Sequence, residues 1–256
     1  MIRLEEVSLR REEKQILSDI NIHMKRGEQW VILGKNGSGK TTLLEMINGY
    51  MFPSQGTVDV LGYRYGTVDL REVRKEIGYM GQSLLEKLNF ADPVWEVVAT
   101  GEYAFLRFYQ TIPNEVIDKA QRMLEELQIS HLSNQPLGLL SQGERKKVLL
   151  ARAMMMNPKL LILDEACAGL DLYEREKLLQ GITNFAGYGV QMVYVTHHIE
   201  EIIPIFTHVA LLDQGRLAAA GPKHDVLTAD MLQRVYQIPV IVDWHQDRPW
   251  IRVTLG

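Results

Sequence analysis

The eight residues Gly34-Lys35-Asn36-Gly37-Ser38-Gly39-Lys40-Thr41 constrain this chain more than any other stretch. They follow the short, almost wholly apolar run Trp30-Val31-Ile32-Leu33. They precede a segment from Thr41 to Asn48 in which Leu43, Leu44 and Ile47 recur at helical spacing and Gly49 stands as a C-terminal stop. An apolar run of that length fits a strand covered on both faces, as in parallel sheets. Strand, loop and helix together satisfy the pattern G-x-x-x-x-G-K-S/T, with Gly34, Gly39, Lys40 and Thr41 at its fixed positions. Such a loop curls until successive N–H groups converge, and the helix N-terminus adds a positive partial charge, so it is built to cradle phosphate. Lys40 is placed to reach β- and γ-phosphates and the Thr41 hydroxyl to ligate Mg2+.

A second apolar run, Leu160-Leu161-Ile162-Leu163, ends in Asp164-Glu165. In open α/β sheets the C-terminal strand edge is where ligands sit, which suits Asp164 to Mg2+ or its bound water and Glu165 to polarising an attacking water. Helical spacing of Leu178, Ile182 and Phe185 over Glu174 to Ala186, then a strand over Val190 to Val195, gives a βαβ alternation and a mostly parallel sheet. At the front, Ile2, Leu4, Val7 and Leu9, then Ile20, Ile22 and Met24, predict two half-buried antiparallel strands joined through a turn at 25–28 to the apolar run. From about Ser83 to Leu139 strand patterns vanish, and Val116, Ala120, Met123, Leu124 and Leu127 follow the 3.6-residue period of a helical insert. Ser141-x-x-Glu144 is a capping box that opens a helix running to Asn157, where Pro158 halts it. A capped helix start with a serine hydroxyl and a glycine is also an anion site. Asp213-Gln214-Gly215 reads as a hairpin turn between Val209–Leu212 and Arg216–Ala219, and the tail segments Val240–Trp244 and Trp250–Val253 pair as two strands.

At 256 residues the chain lies between one domain and two. Hydrophobic residues at 46% and charged residues at 23% exclude disordered, collagen-like and disulfide-scaffold classes, and Cys167, the single cysteine, forms no intrachain disulfide. A net charge of −4 lacks the global positive charge that drives non-specific nucleic-acid binding, so no nucleic acid is expected. No run approaches the roughly 20 uncharged residues needed to span a bilayer, and the start has no signal-peptide stretch. Kinases, GTPases and transport ATPases all share a phosphate loop followed by a strand-end acid, so a further feature must select among them.

That feature is Leu140-Ser141-Gln142-Gly143-Glu144, which resembles the signature of ATP-binding cassette ATPases, usually LSGGQ, standing shortly before the second acidic motif. Gln82, in Tyr79-Met80-Gly81-Gln82, resembles the Q-loop glutamine of that family, Ala168-Gly169-Leu170-Asp171 its D-loop, and His197, in Val195-Thr196-His197, its switch histidine. The resemblance covers about Ile2 to Leu227, with the motifs in family order. It implies an α/β fold: a P-loop NTPase with a RecA-like, mostly parallel sheet, an antiparallel β subdomain and a helical subdomain carrying the signature. On that pattern residues 1–237 form one cassette, with 1–82 and 157–237 as the core and 83–156 as the helical part, followed by a β-like extension over 238–256.

The resemblance further implies ATP and Mg2+ as ligands and ATP hydrolysis as the activity. Nucleotide contacts are implied for Gly34 through Thr41 with Thr42, for Arg11 beside the base, and, from a facing cassette, for Ser141, Gly143 and Asp171. Mg2+ falls to Thr41, Gln82 and Asp164; Glu165 is the general base, with Gln82 and His197 completing the catalytic set. Two cassettes, either copies of this chain or one copy and a paralogue, are implied to pack head to tail around two ATP molecules. Separate transmembrane permease subunits would hold them at the cytoplasmic face of the membrane. The alternative within the family is a soluble ATPase that remodels a ribosome or DNA, but those relatives usually carry two cassettes or a long coiled-coil insert. The segment Gln135 to Leu139 has no charged loop of the exporter kind, which leans to an importer.

Four departures stand out. Gln142 occupies a usual glycine and would place a side chain next to the γ-phosphate, and Ala166-Cys167 replaces Pro-Thr. His198 stands where acids are common. Arg11 falls where the family offers an aromatic ring; a guanidinium plane stacks on a base, or Arg11 is a solvated charge in Arg10-Arg11-Glu12-Glu13-Lys14. The apolar set Leu84, Leu85, Leu88, Phe90, Trp95, Tyr103, Phe105, Phe108 and Tyr109 is either a docking surface or core.

Overall fold

The computed structural model describes residues 1–254. They form two compact units, one from Met1–Arg74 with the chain from Gln191 onward, the other from Lys75–Val190.

The first unit opens with β1 (Ile2–Arg11) and β2 (Lys14–Met24), paired antiparallel. The apolar alternation slips between Leu4 and Val7 and between Leu17 and Ile20. The pairing shifts register at those places, with Glu6 and Asp19 both at φ 51, so each slip is a bulge that returns the apolar side chains to the buried face. A turn then leads to β3 (Trp30–Gly34), buried at every position, and the phosphate loop enters α1 (Lys40–Ile47). β4 (Gln55–Val60) and β5 (Tyr63–Arg64) complete an antiparallel sheet in the order β2-β1-β4-β5, and α2 (Leu70–Arg74) ends this stretch.

The second unit starts with β6 (Ile77–Met80) and α3 (Gln82–Leu85). The helical insert follows as α4 (Val94–Ala99) and α5 (Asn114–Glu126), the latter burying Val116, Ala120, Met123 and Leu124. α6 (Gln142–Met154) carries both hydrogen bonds of the capping box at Ser141 and Glu144. It stops three residues short of the expected Asn157, which is already left-handed at φ 47. Pro158 excludes the helical conformation from the residue before it, so the last turn unwinds ahead of the proline. β7 (Leu160–Asp164) lies parallel to β6, and α7 (Leu172–Ala186) buries Leu178, Ile182 and Phe185 as its period requires.

The chain then re-enters the first unit as β8 (Gln191–Thr196), again buried throughout, and β9 (His208–Asp213), both parallel to β3. Burial on both faces is what the unbroken apolar run of β3 requires, and β8 shares it. β10 (Arg216–Pro222) folds back on β9 through Gln214 and Gly215, both at positive φ, the turn whose twist matches a hairpin. α8 (Lys223–Val226) and α9 (Ala229–Tyr236) lead to the tail hairpin, β11 (Val240–His245) and β12 (Arg248–Val253), whose segments pair antiparallel, as expected, through Gln246 and Asp247.

Candidate functional site

Candidate residues occur in both units. In the first, Leu33 of β3 stands opposite Thr196 of β8 in a parallel pair, so Gly34 and His197 leave the same sheet edge side by side. Gly39, at φ 104, turns the loop into α1, and the Lys40 ammonium, buried at 5% exposure, donates to the carbonyls of Gly34 at 2.8 Å and Lys35 at 3.1 Å. The Gly215 N–H braces the loop by donating to the Ser38 carbonyl at 3.0 Å, and the Gly215 carbonyl accepts from Ser18 N–H. The Ser38 hydroxyl is buried without a hydrogen-bond partner. An unsatisfied buried hydroxyl costs about 1–3 kcal/mol, a cost removed by an oxygen-rich ligand seated in the loop. Asn36, Gly37 and Thr41 are exposed, Lys35 and Thr42 half-buried. Arg11 ends β1 opposite Lys14 with its side chain exposed, just before Glu12 at φ 52.

His197 is half-buried, its ring tilted against that of His198 at 4.1 Å between centroids. It rides on a tight turn. His198 N–H donates to Thr196 Oγ1 at 3.0 Å, and the carboxylate of Glu201, 2% exposed, accepts from the hydroxyls of Tyr194 and Thr196.

In the second unit the same logic applies to β6 and β7. Met80 pairs with Leu163, so Gly81-Gln82 and Asp164-Glu165 emerge from neighbouring strand ends. Tyr79 spans them: its hydroxyl donates to Asp164 Oδ2 at 3.2 Å and lies 3.3 Å from Ser83 Oγ. Nothing in the motif spacing singled out Tyr79. Gln82 is exposed and donates to Glu86 Oε1 at 3.3 Å. Glu165 is half-buried at φ 45, a left-handed conformation that costs a side-chain-bearing residue about 1–2 kcal/mol and recurs at functional positions. Cys167 is buried at 3% exposure, in keeping with a packing residue.

The start of α6 and the loop after β7 also meet within this unit. Ser141 is exposed, its hydroxyl accepting from Glu144 N–H at 3.3 Å while its own N–H donates to Glu144 Oε2 at 2.7 Å. Gln142 lies along its own subunit: its amide donates to the Ala168 carbonyl at 3.3 Å and packs on Gly169. Gly143 is buried against the Glu174 side chain, and Asp171 caps α7 by accepting from Glu174 N–H at 2.9 Å. The apolar set of the insert divides. Leu85, Leu88 and Phe108 are core and Leu84 and Trp95 half-buried, while Phe90, Tyr103, Phe105 and Tyr109 are exposed. No helix among the described residues is long and apolar enough to cross a membrane.

The family model for ABC transporters matches residues 17–168. An uncharacterized ABC transporter ATP-binding protein of Bacillus subtilis is 41% identical over 254 residues, covering 98% of this chain and 96% of that protein. A cobalt import ATP-binding protein, CbiO, of Rhodobacter capsulatus is 34% identical over 231 residues, 89% of this chain and 81% of that protein. Among solved structures, cbiO1 from Clostridium perfringens, part of the ABC transporter complex cbiONQ, matches with a TM-score of 0.78 at 28% identity, over 91% of this chain and 92% of that one. With a phosphate loop on one strand end and paired acids on another, the chain belongs to the ABC transporter family, as one of its ATP-binding subunits and an ATPase of the P-loop class.

Proposed function

We propose that the chain drives an importer-type transporter by hydrolysing ATP between two cassettes, each supplying the phosphate loop for one nucleotide and the capped α6 start for the other. The observation that carries this reading is the pair of anion-ready features the fold leaves at exposed edges. One is the loop with its orphaned Ser38 hydroxyl and its lysine folded onto carbonyls; the other is the exposed, capped Ser141. Gly34 through Thr42 hold the phosphates, Lys40 exchanging its carbonyl partners for β- and γ-oxygens, and Arg11 lies against the base. Ser141, Gly143 and Asp171 close the site from the partner cassette. Thr41, Gln82 and Asp164 offer hydroxyl, amide and carboxylate oxygens, the hard donor set that Mg2+ takes, and the ion supplies charge neutralisation at the β- and γ-phosphates. Glu165 accepts the proton of the attacking water, and His197 donates to the γ-phosphate oxygen as negative charge gathers there.

Permease subunits at the cytoplasmic face of a membrane receive the stroke through the second unit, where Tyr103, Phe105 and Tyr109 leave aromatic surface exposed. The import reading is supported by the relatives named for cobalt and hemin import. Glu165→Gln is the test. Turnover is expected to fall by about a hundredfold or more, as for loss of a general base, and a dimer is expected to accumulate at saturating ATP. A variant that stays monomeric on gel filtration with ATP bound overturns the sandwich.

A further inference from the structure

We propose that Arg248, carried by the C-terminal hairpin, is a positioning residue for His197: the hairpin is a clamp on the turn that presents this histidine. The inference rests on the reading of His197 as a γ-phosphate contact, but its structural half stands separately.

His197 sits on a turn, 196–201, whose inner side is held by the strand it leaves. Below it, the buried Glu201 carboxylate holds the hydroxyls of Tyr194 and Thr196, and Thr196 Oγ1 takes the N–H of His198. Above it runs a single 3-10 turn, Ile199–Glu201, whose hydrogen-bond geometry is intrinsically poor, so an external donor there weighs heavily. Arg248 supplies that donor. Its Nε–H reaches the Glu200 carbonyl at 2.6 Å, a charge-assisted bond, while its guanidinium lies 5.1 Å above the Trp250 ring. The Glu200 carboxylate is in turn 3.7 Å from His198 Nδ1, next to the His197 ring.

A clamp needs a fixed far end, and the hairpin has one. Lys223, 3% exposed, donates to the Asp247 carbonyl at 2.7 Å and pairs with its carboxylate at 2.7 Å. His224 Nε2 meets the other carboxylate oxygen at 2.7 Å and lays its ring 3.9 Å from that of Trp244. Lys223 N–H is itself bonded to the Thr207 carbonyl. Asp247 and Arg248 are adjacent residues at the hairpin turn, so the anchor that holds one holds the other against Glu200.

The test uses the full-length chain with Arg248→Ala, Arg248→Lys, His197→Ala and the double variant Arg248→Ala/His197→Ala. Losing the bond is expected to lower kcat about five- to tenfold while the KM for ATP stays within about twofold, and to speed amide hydrogen exchange across 197–203 with the rest of the first unit unchanged. Arg248→Lys, which keeps a cationic donor, recovers most of the loss. In the His197→Ala background, Arg248→Ala costs no further turnover. An additive loss in the double variant, or unchanged exchange over 197–203, overturns the clamp. If His197→Ala leaves kcat intact while exchange still rises in Arg248→Ala, the clamp stands and the reading of His197 fails.

Discussion

Replacing Gly39 by alanine separates two costs that a glycine in the phosphate loop removes. Gly39 sits at φ 104 and ψ 4 as the residue before α1, and a Cβ added there lies 2.7 Å from Leu17 Cδ2 and 3.4 Å from the Ile16 carbonyl. Gly37, two residues earlier, has φ 78, but a Cβ there meets nothing within 4 Å. Both alanines carry the left-handed backbone cost of about 1–2 kcal/mol. Only Gly39→Ala adds overpacking against the end of the Leu17 side chain, which is fully buried, for about 1–3 kcal/mol more. The sums are about 1–2 kcal/mol for Gly37→Ala and about 2–5 kcal/mol for Gly39→Ala. The loop can relieve this strain by leaving its cradle shape, so the cost should surface as nucleotide affinity. The expected weakening is about 5- to 30-fold for Gly37→Ala and at least about 30-fold for Gly39→Ala. Titration with a fluorescent ATP analogue reads the first quantity, and denaturant unfolding shows how much of the cost goes global instead. Shortening the neighbour, as Leu17→Val in the Gly39→Ala background, should recover part of the difference. Equal affinity losses for the two single variants would refute the reasoning, because Gly39 has the wider φ and the close approach to Leu17 and Ile16 that Gly37 lacks.

Asp171 has a cap role that the coordinates display and a nucleotide role that is proposed, and serine tells them apart. Asp171→Ser should keep the α7 cap and the melting temperature, whereas Asp171→Ala should lose about 1 kcal/mol, or about 2–4 °C; full turnover in the serine variant would remove Asp171 from the nucleotide site. Tyr79→Phe removes the hydroxyl donated to Asp164. The Mg2+ concentration for half-maximal nucleotide binding in a Glu165→Gln background should rise about two- to tenfold, and no change would leave Tyr79 a packing residue. Phe185→Ala, at a site with 0% exposure in α7, should cost about 3–5 kcal/mol in denaturant unfolding, and a loss under 1 kcal/mol would contradict its place in the core. The Lys223 hydrogen bond holds the Asp247 carboxyl below the usual carboxylate range, with the neighbouring His224 acting in the same direction. A depressed folded pKa contributes stability above the unfolded value and loses it as pH falls through the folded one. Hairpin docking should therefore weaken below about pH 4, seen as a change in tryptophan fluorescence that Asp247→Asn abolishes.

The parts of the fold that could be read from the chain are those where burial and period agree. β3 and β7 carry unbroken apolar runs, and with β8 each is a buried parallel strand. α5 and α7 follow the helical period and bury the residues it predicts. The turn residues Asp213-Gln214-Gly215 marked the β9–β10 hairpin, and the tail segments were legible as a pair of strands. What escaped was short or half-exposed: β4 and α9 bury only two residues each, too few to set a period, so 50–80 and 223–236 stayed unassigned. Motif residues were legible because phosphate chemistry fixes their spacing. Their supports, Tyr79 beneath Asp164, Gly215 beneath Ser38 and Arg248 above Glu200, come from distant positions that no spacing rule connects.

Gln142 shows how such a support changes the meaning of a departure. From the chain alone, a side chain in place of the usual glycine crowds the γ-phosphate. In the structure it bonds the Ala168 carbonyl, 26 residues further along the chain, against Gly169, while Gly143 lies on Glu174 and Glu174 N–H is capped by Asp171. The starts of α6 and α7 are thus joined twice, once through Gln142 and once through Glu174. Ser141 and the loop at 168–171 are therefore linked through side-chain contacts within this unit. A glycine at 142 would keep the Ser141 cap and cut one of the two ties. Gln142 thus ties the start of α6 to the loop that follows Asp164-Glu165.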